Sequence, residues 1–194
     1  MDKRLIKKQE IIRKSIGIMF EKGYHGTGVK DLADAAGIPK GSIYNYFENK
    51  EDYLKEALIY YYEVMSKEQF EILEDKSLKA VDRISSFYGF MIKNFNESNF
   101  SMGCFIGKVT QEVSGTSELI RETTSILHND IINKLVKNLK EAKVDNDIKS
   151  SMDEFILAEF IFDSWQGTLL RLKASRNKQT LYNFYRVLNE VLLK

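Results

Sequence analysis

The side chains able to do chemistry crowd into one stretch, Thr27 to Lys50, TGVKDLADAAGIPKGSIYNYFENK. Helical spacing that buries Ile43 and Phe47 turns Lys40, Ser42, Tyr44 and Asn45 outward. Together they make no nucleophile–base pair and no metal set. They can donate hydrogen bonds and positive charge to phosphate oxygens, and they can reach base edges. Two short helices and a tight turn would position them. Thr27 can cap a helix that carries Val29, Leu32, Ala33 and Ala36 inward. Gly37 supplies a left-handed turn at little cost, and Pro39 fits the first turn of the next helix. That is the layout of a helix-turn-helix that reads DNA.

The charge distribution agrees. The 194-residue chain has a net charge of only +1. Residues 1–50 hold ten Lys or Arg and six Asp or Glu, a net of +4, which leaves −3 for the rest. A basic head on a slightly acidic body directs a polyanion to the head. Hydrophobic content of 43% and charged content of 29% suit a globular chain with one or two helical domains. No apolar run approaches the ~18 residues of a membrane span. The basic N-terminus lacks the apolar stretch of a signal peptide, so a cytoplasmic protein is expected. The single Cys104 excludes an internal disulfide framework and fits a reducing compartment.

The rest of the chain has helical periodicity and no repeat or low-complexity tract, so the expected fold class is all-α. A first helix is expected over 3–22, ended by Gly23, and a later one from near Asn49 to about Leu73 without interruption. Further helices are expected over 77–95, 101–113, 117–142, 151–174 and 178–193. In the next-to-last, Phe155, Ala158, Phe162, Trp165, Leu169 and Leu172 step by 3 and 4. Ile156, Leu157, Phe160, Ile161 and Leu170 make much of its other side apolar, so it must be buried on more than one side. The final helix repeats the spacing with Leu181, Phe184, Leu188 and Val191. Such paired seams suit a helical bundle between two copies of the chain, a homodimer through the last two helices. Completion of a single core is the alternative.

The motifs resemble a known family. A Thr opening the second helix, then D-L-A-x-A-A-G-I, K-G-S-I-Y-x-Y-F and a closing N-K-E are similar to the DNA-binding domain of the TetR family of bacterial repressors, over about residues 8–55. The family's usual Ser or Thr before the Lys-Gly pair is Pro39 here. The resemblance implies a three-helix DNA-binding domain over residues 1–48. It also implies a helical effector-binding and dimerisation domain over 49–194, acting as a ligand-responsive repressor on a palindromic double-stranded operator. Carried over by position, Thr27, Lys40, Gly41, Ser42, Tyr44, Asn45, Tyr46 and Lys50 are the DNA-binding residues. Lys50, Thr27 and the Tyr44 hydroxyl suit phosphates. Lys40, Ser42 and Asn45 suit base edges, and Gly41 allows close backbone approach. Tyr46 is either a contact or an aromatic support beneath the helix. A helical small-molecule carrier that has lost DNA binding is the alternative function.

For the effector, Met102-Gly103-Cys104-Phe105-Ile106-Gly107-Lys108 and the stretch from Gln166-Gly167 to Arg176 are similar to a branch that includes repressors of electrophile-detoxifying enzymes. Cys104 is either a buried packing residue or a sensing thiol, with Lys108 or Lys173 supplying a cation to favour thiolate. Phe87, Phe105 and Trp165 are either core or lining of an effector pocket, which the family implies. His25 and His128 stand without metal-ligand spacing, and no phosphate loop or catalytic motif appears. No metal, cofactor or enzymatic activity is expected.

Overall fold

The computed structural model describes residues 3–97 and 104–194; Met102 and Gly103 of the Gly-Cys motif lie outside them. Among the described residues all regular structure is helical. The chain forms two compact units, Met1–Met65 with Ser101–Leu127, and Ser66–Phe100 with His128–Lys194.

In the first unit, α1 (Lys3–Lys22) buries Ile11, Ile12, Ile16, Met19 and Phe20, one face at helical spacing. Gly23, at φ 76°, ends it. Helix α2 (Val29–Ala36) buries Leu32, Ala33 and Ala36, and Gly37 at φ 71° closes it with its N–H on Asp34. Thr27 does not cap α2. Gly28 holds the cap position, its N–H donated to the Asp31 carboxylate at 2.8 Å. Thr27 is 1% exposed, and its hydroxyl donates to the Gly23 carbonyl at 2.6 Å. Lys40–Asn45 is a 3₁₀ helix with Pro39 as its cap, not an α-helix with Pro39 inside. Gly41 is a poor helix former, and the six-residue element takes the tighter i→i+3 pattern common in short pieces.

Asn49 caps α3 (Lys50–Tyr60) by accepting the Asp52 N–H at 2.9 Å. The expected uninterrupted helix then changes character. Tyr61–Met65 is π-helical, Ser66 breaks the pattern, and α4 (Lys67–Glu74) follows. An apolar pattern cannot report one extra residue in a turn. Of the three consecutive tyrosines, Tyr60 is buried while Tyr61 and Tyr62 are half-buried. Helix α4 belongs to the second unit; α6 (Phe105–Val113) and the start of α7 (Glu118–Val144) complete the first.

In the second unit, α5 (Ala80–Glu97), α8 (Glu154–Ser175) and α9 (Gln179–Val187) enclose an aromatic core. Trp165 lies 5.4 Å from Tyr88, 6.0 Å from Phe95 and 5.1 Å from Phe184, between ring centroids. A π-helical turn, Leu188–Leu192, ends the last helix. The buried Arg83 guanidinium pairs with Glu141, which also accepts from Lys76.

The expected seam of α8 is largely this core: Ala158, Phe162, Trp165 and Leu172 are buried, with Leu157 and Ile161. Leu181, Phe184 and Leu188 are likewise buried within the chain, Leu188 at 0% exposure. Another row faces out. Ile156, Phe160, Asp163, Gly167, Leu170 and Ala174 step by 4 and 3, and all six are exposed. Ile156, Phe160 and Leu170 are more than half exposed, and Val191 more so at 65%.

His128 sets a pH dependence. Its ring lies 5.1 Å from Phe162, and its Nε2 is buried with no hydrogen-bond partner among the described residues. Burial holds its pKa below the usual histidine value, with the Asp163 charge pulling the other way. The unfolded chain therefore takes up a proton that the folded chain refuses. Stability is complete above about pH 6.5 and falls as pH drops below it. Melting temperatures should decline from pH 7.5 to 5.5, and His128→Gln should flatten that decline. An unchanged slope in the variant would assign the dependence elsewhere.

Candidate nucleic-acid interface and effector region

The 3₁₀ helix is anchored from below and open above. Ile43 and Phe47 are 2% and 1% exposed, and α2 packs against the element. Tyr44 is 51% exposed. Lys40, Gly41 and Asn45 are exposed too, while Ser42 and Tyr46 are half-buried. In a 3₁₀ helix residues three apart eclipse, so Gly41 and Tyr44 share one line and Ser42 and Asn45 another. Five of the expected DNA-contacting residues thus gather on or beside one outward surface: Lys40, Gly41, Ser42, Tyr44 and Asn45.

Half-buried Tyr46 caps the end of the 3₁₀ helix beside that surface, whereas Thr27 and Lys50 stand apart from it. Lys50 donates from Nζ to the carbonyls of Tyr24 at 3.0 Å and Thr27 at 3.1 Å, and lies 4.0 Å over the Tyr24 ring. It fastens the turn between α1 and α2, with one of its three N–H donors beyond these two bonds. Thr27 braces the same turn. Arg4, which the motif does not include, donates to the Asn45 carbonyl at 3.3 Å and so touches the reading element. Its signal in the sequence is the basic start of α1. Ser117 was also unforeseen: it donates to Glu51 and accepts the Ile120 N–H at 3.1 Å, tying α3 to the start of α7.

The expected effector residues divide between the units. Phe105 is fully buried, its ring 4.7 Å from Phe20 and 5.6 Å from Tyr61. Half-buried Cys104 is the cap of α6, its Sγ accepting the Gly107 N–H at 3.4 Å. Lys108 sends its ammonium to the end of α1, at 2.5 Å from the Phe20 carbonyl and 3.3 Å from that of Met19. Phe87 and Trp165 belong to the aromatic core of the second unit, at 2% and 3% exposure. Lys173 is exposed in the last turn of α8.

Comparison with known proteins decides the family. Residues 11–57 match the family described as bacterial regulatory proteins, tetR family, and residues 80–188 match a tetracyclin repressor-like C-terminal domain. The HTH-type transcriptional repressor DhaR of Mycobacterium sp. strain GP1 is 31% identical over 96% of this chain and 92% of its own length. The chain belongs to the TetR family. It is a DNA-binding transcriptional regulator and not an enzyme. The repressor NemR of Escherichia coli K12 is 26% identical over 86% of this TetR-family chain and 83% of its own. A crystal structure of E. coli NemR in reduced form shares the fold, with a TM-score of 0.88 at 24% identity over 95% of this chain and 96% of that one. The TetR regulatory protein from Rhodobacter sphaeroides superposes with a TM-score of 0.85 at 26% identity, covering 94% and 96%. Among the described residues no helix of this regulator is long and apolar enough to cross a membrane.

Proposed function

We propose that this TetR-family chain is a cytoplasmic repressor that holds a palindromic operator as a homodimer and releases it when an effector acts on its helical body. The observation that carries this reading is the outward surface of Lys40–Asn45, exposed on top and anchored by Ile43 and Phe47. Lys40, Ser42 and Asn45 read base edges, Gly41 lets the backbone approach, and the Tyr44 hydroxyl takes a phosphate. Tyr46 supports the element from its half-buried position and borders the contact. Lys50 has a donor left for phosphate, and Thr27 acts by bracing the turn. Residues 1–48 form the reading domain, and 49–194 serve effector binding and dimerisation.

The outward row of α8 supports dimerisation through the last two helices. Its 4 and 3 spacing is that of a helix-packing seam. Gly167 lies in the row with nothing within 4 Å of where a Cβ would be. Glycine in a helix interior costs about 0.5–1 kcal/mol relative to alanine, a cost that close approach of a second helix offsets. Two readers related by a two-fold axis then meet two half-sites one helical turn apart.

For the effector, Cys104 is the sensing group and a carbon electrophile is the ligand class. A helix N-terminus favours an anionic sulfur, and Cys104 caps α6 there. The thiolate adds to the electrophilic carbon of an activated alkene, the π electrons move to the activating carbonyl, and water supplies the proton. Bulk added at the cap of a packed helix costs about 1–3 kcal/mol, enough to shift a balanced equilibrium. Phe105 transmits the change into its aromatic trio. Lys108, one turn further along α6, borders the responsive region. The test is Cys104→Ser. Wild type should leave the operator on treatment with an α,β-unsaturated aldehyde, and the variant should stay bound. Equal release from both would make the thiol a packing residue and the effector a non-covalent ligand.

A further inference from the structure

We infer that Lys108 and Glu112 are positioning residues for DNA recognition: from one face of α6 they grip the turn between α1 and α2 at its two electrostatic ends. The two residues lie four apart, so they share a face of the helix. The last carbonyls of a helix have no intrahelical partner and carry partial negative charge. Lys108 meets the carbonyl of Phe20, and also that of Met19, which shares itself with the Gly23 N–H at 3.1 Å. Past the end of α1 the turn offers N–H groups instead. Glu112 accepts the His25 N–H at 2.9 Å, and the neighbouring Tyr24 N–H also favours its charged form. Its carboxylate lies so close to Gly23 that a Cβ there would stand 2.8 Å from Oε1. Burial pushes the Glu112 carboxyl up, but these N–H groups and the charges of His25 and Lys108 leave it below the usual value. It therefore stays anionic while doing this work.

The reading side fastens the same turn. Lys50 reaches it from α3, bonding the Tyr24 and Thr27 carbonyls, and Thr27 bonds back to Gly23. Residues 23–27 are thus a node held by α6 on one side and by α3 on the other. The node leads directly into α2, which packs on the 3₁₀ reader. Helix α6 starts at Cys104, one turn before Lys108. A single tie would fix only a distance. Two ties of opposite sign, one turn apart, also fix the tilt of α6 against the node, so a tilt caused at Cys104 strains both. Glu112 and Lys108 touch no DNA themselves; they act through the turn.

This inference deepens the repressor reading and, for its regulatory half, rests on Cys104. The test uses full-length protein, DNA from the gene's own upstream region, and N-ethylmaleimide, which can label only one cysteine per chain. Glu112→Ala should bind operator about tenfold more weakly, in the usual range of coupling between sites. Its melting curve should still show a cooperative fold, and the Tyr24 and His25 amides should exchange faster. Glu112→Gln, which keeps an acceptor oxygen, should restore most of the affinity. Maleimide should weaken wild-type binding and change Glu112→Ala little. Lys108→Met, which keeps the alkyl stem, should behave as Glu112→Ala does and serves if that variant folds poorly. Variants that bind as tightly as wild type and respond fully to maleimide overturn the inference. If wild type binds but ignores maleimide, the cysteine reading fails, and the affinities and amide exchange still decide the grip. If wild type binds no DNA at low salt, the repressor reading falls and takes this inference with it.

Discussion

Leu188→Glu is expected to unfold the protein, whereas Phe160→Glu is expected to leave it folded and split the homodimer. Leu188 is fully buried within a single chain, beside Leu181 and Phe184 of the last helix. A carboxylate there has no partner, and an unpaired buried charge costs several kcal/mol. That is a large part of the roughly 5–15 kcal/mol that holds a domain folded. Phe160 lies in the outward row of α8 at 53% exposure. A glutamate there is solvated in the lone chain and buried only when a second copy covers the row. Circular dichroism should show the cooperative melt lost in Leu188→Glu and kept in Phe160→Glu. Sedimentation at micromolar concentration should give a dimer for wild type and a monomer for Phe160→Glu. Because specific binding needs two half-sites, the monomer should also lose the operator. A dimeric Phe160→Glu protein would place the interface on another surface.

Asn45→Ala and Tyr44→Ala are expected to weaken operator binding in different ways. The Asn45 side chain is exposed, while its backbone carbonyl is held by Arg4. Truncating it removes a side-chain contact without freeing the backbone. A lost bidentate contact to adenine costs about 1–3 kcal/mol and relaxes preference at one base pair. On the proposed reading the Tyr44 hydroxyl meets a phosphate, so Tyr44→Ala should weaken all sequences alike and leave the base preference unchanged. Titration of an operator and its single-base variants separates the two. A Tyr44→Ala protein with altered preference at one position would make Tyr44 a base reader.

The helix-turn-helix was legible because its signals are local. Gly37 ends α2, Ile43 and Phe47 alternate with outward polar residues, and each decides its own few residues. What stayed hidden depended on competition or on distant partners. Thr27 has the right type for a cap, but Asp31 satisfies the Gly28 N–H and leaves Thr27 to bind Gly23. Lys50 and Lys108 carry charge suited to phosphate and to thiolate, and both also bond backbone carbonyls that sequence cannot locate. The seam of α8 was visible as a period, but a helix apolar on most sides has two such rows. Only the packing of α5 and α9 decides which row turns inward. Cys104 as a cap was invisible, because cysteine is not among the usual capping residues.

The most direct measurement is a fluorescence-anisotropy titration of purified wild-type protein on DNA from its gene's own upstream region, at several salt concentrations. Two chains should bind per palindrome, with log affinity falling linearly against log salt as phosphate contacts release counterions. Unrelated DNA of the same length should compete weakly. Absence of binding at low salt, or equal affinity for unrelated DNA, would contradict sequence-specific repression by this chain.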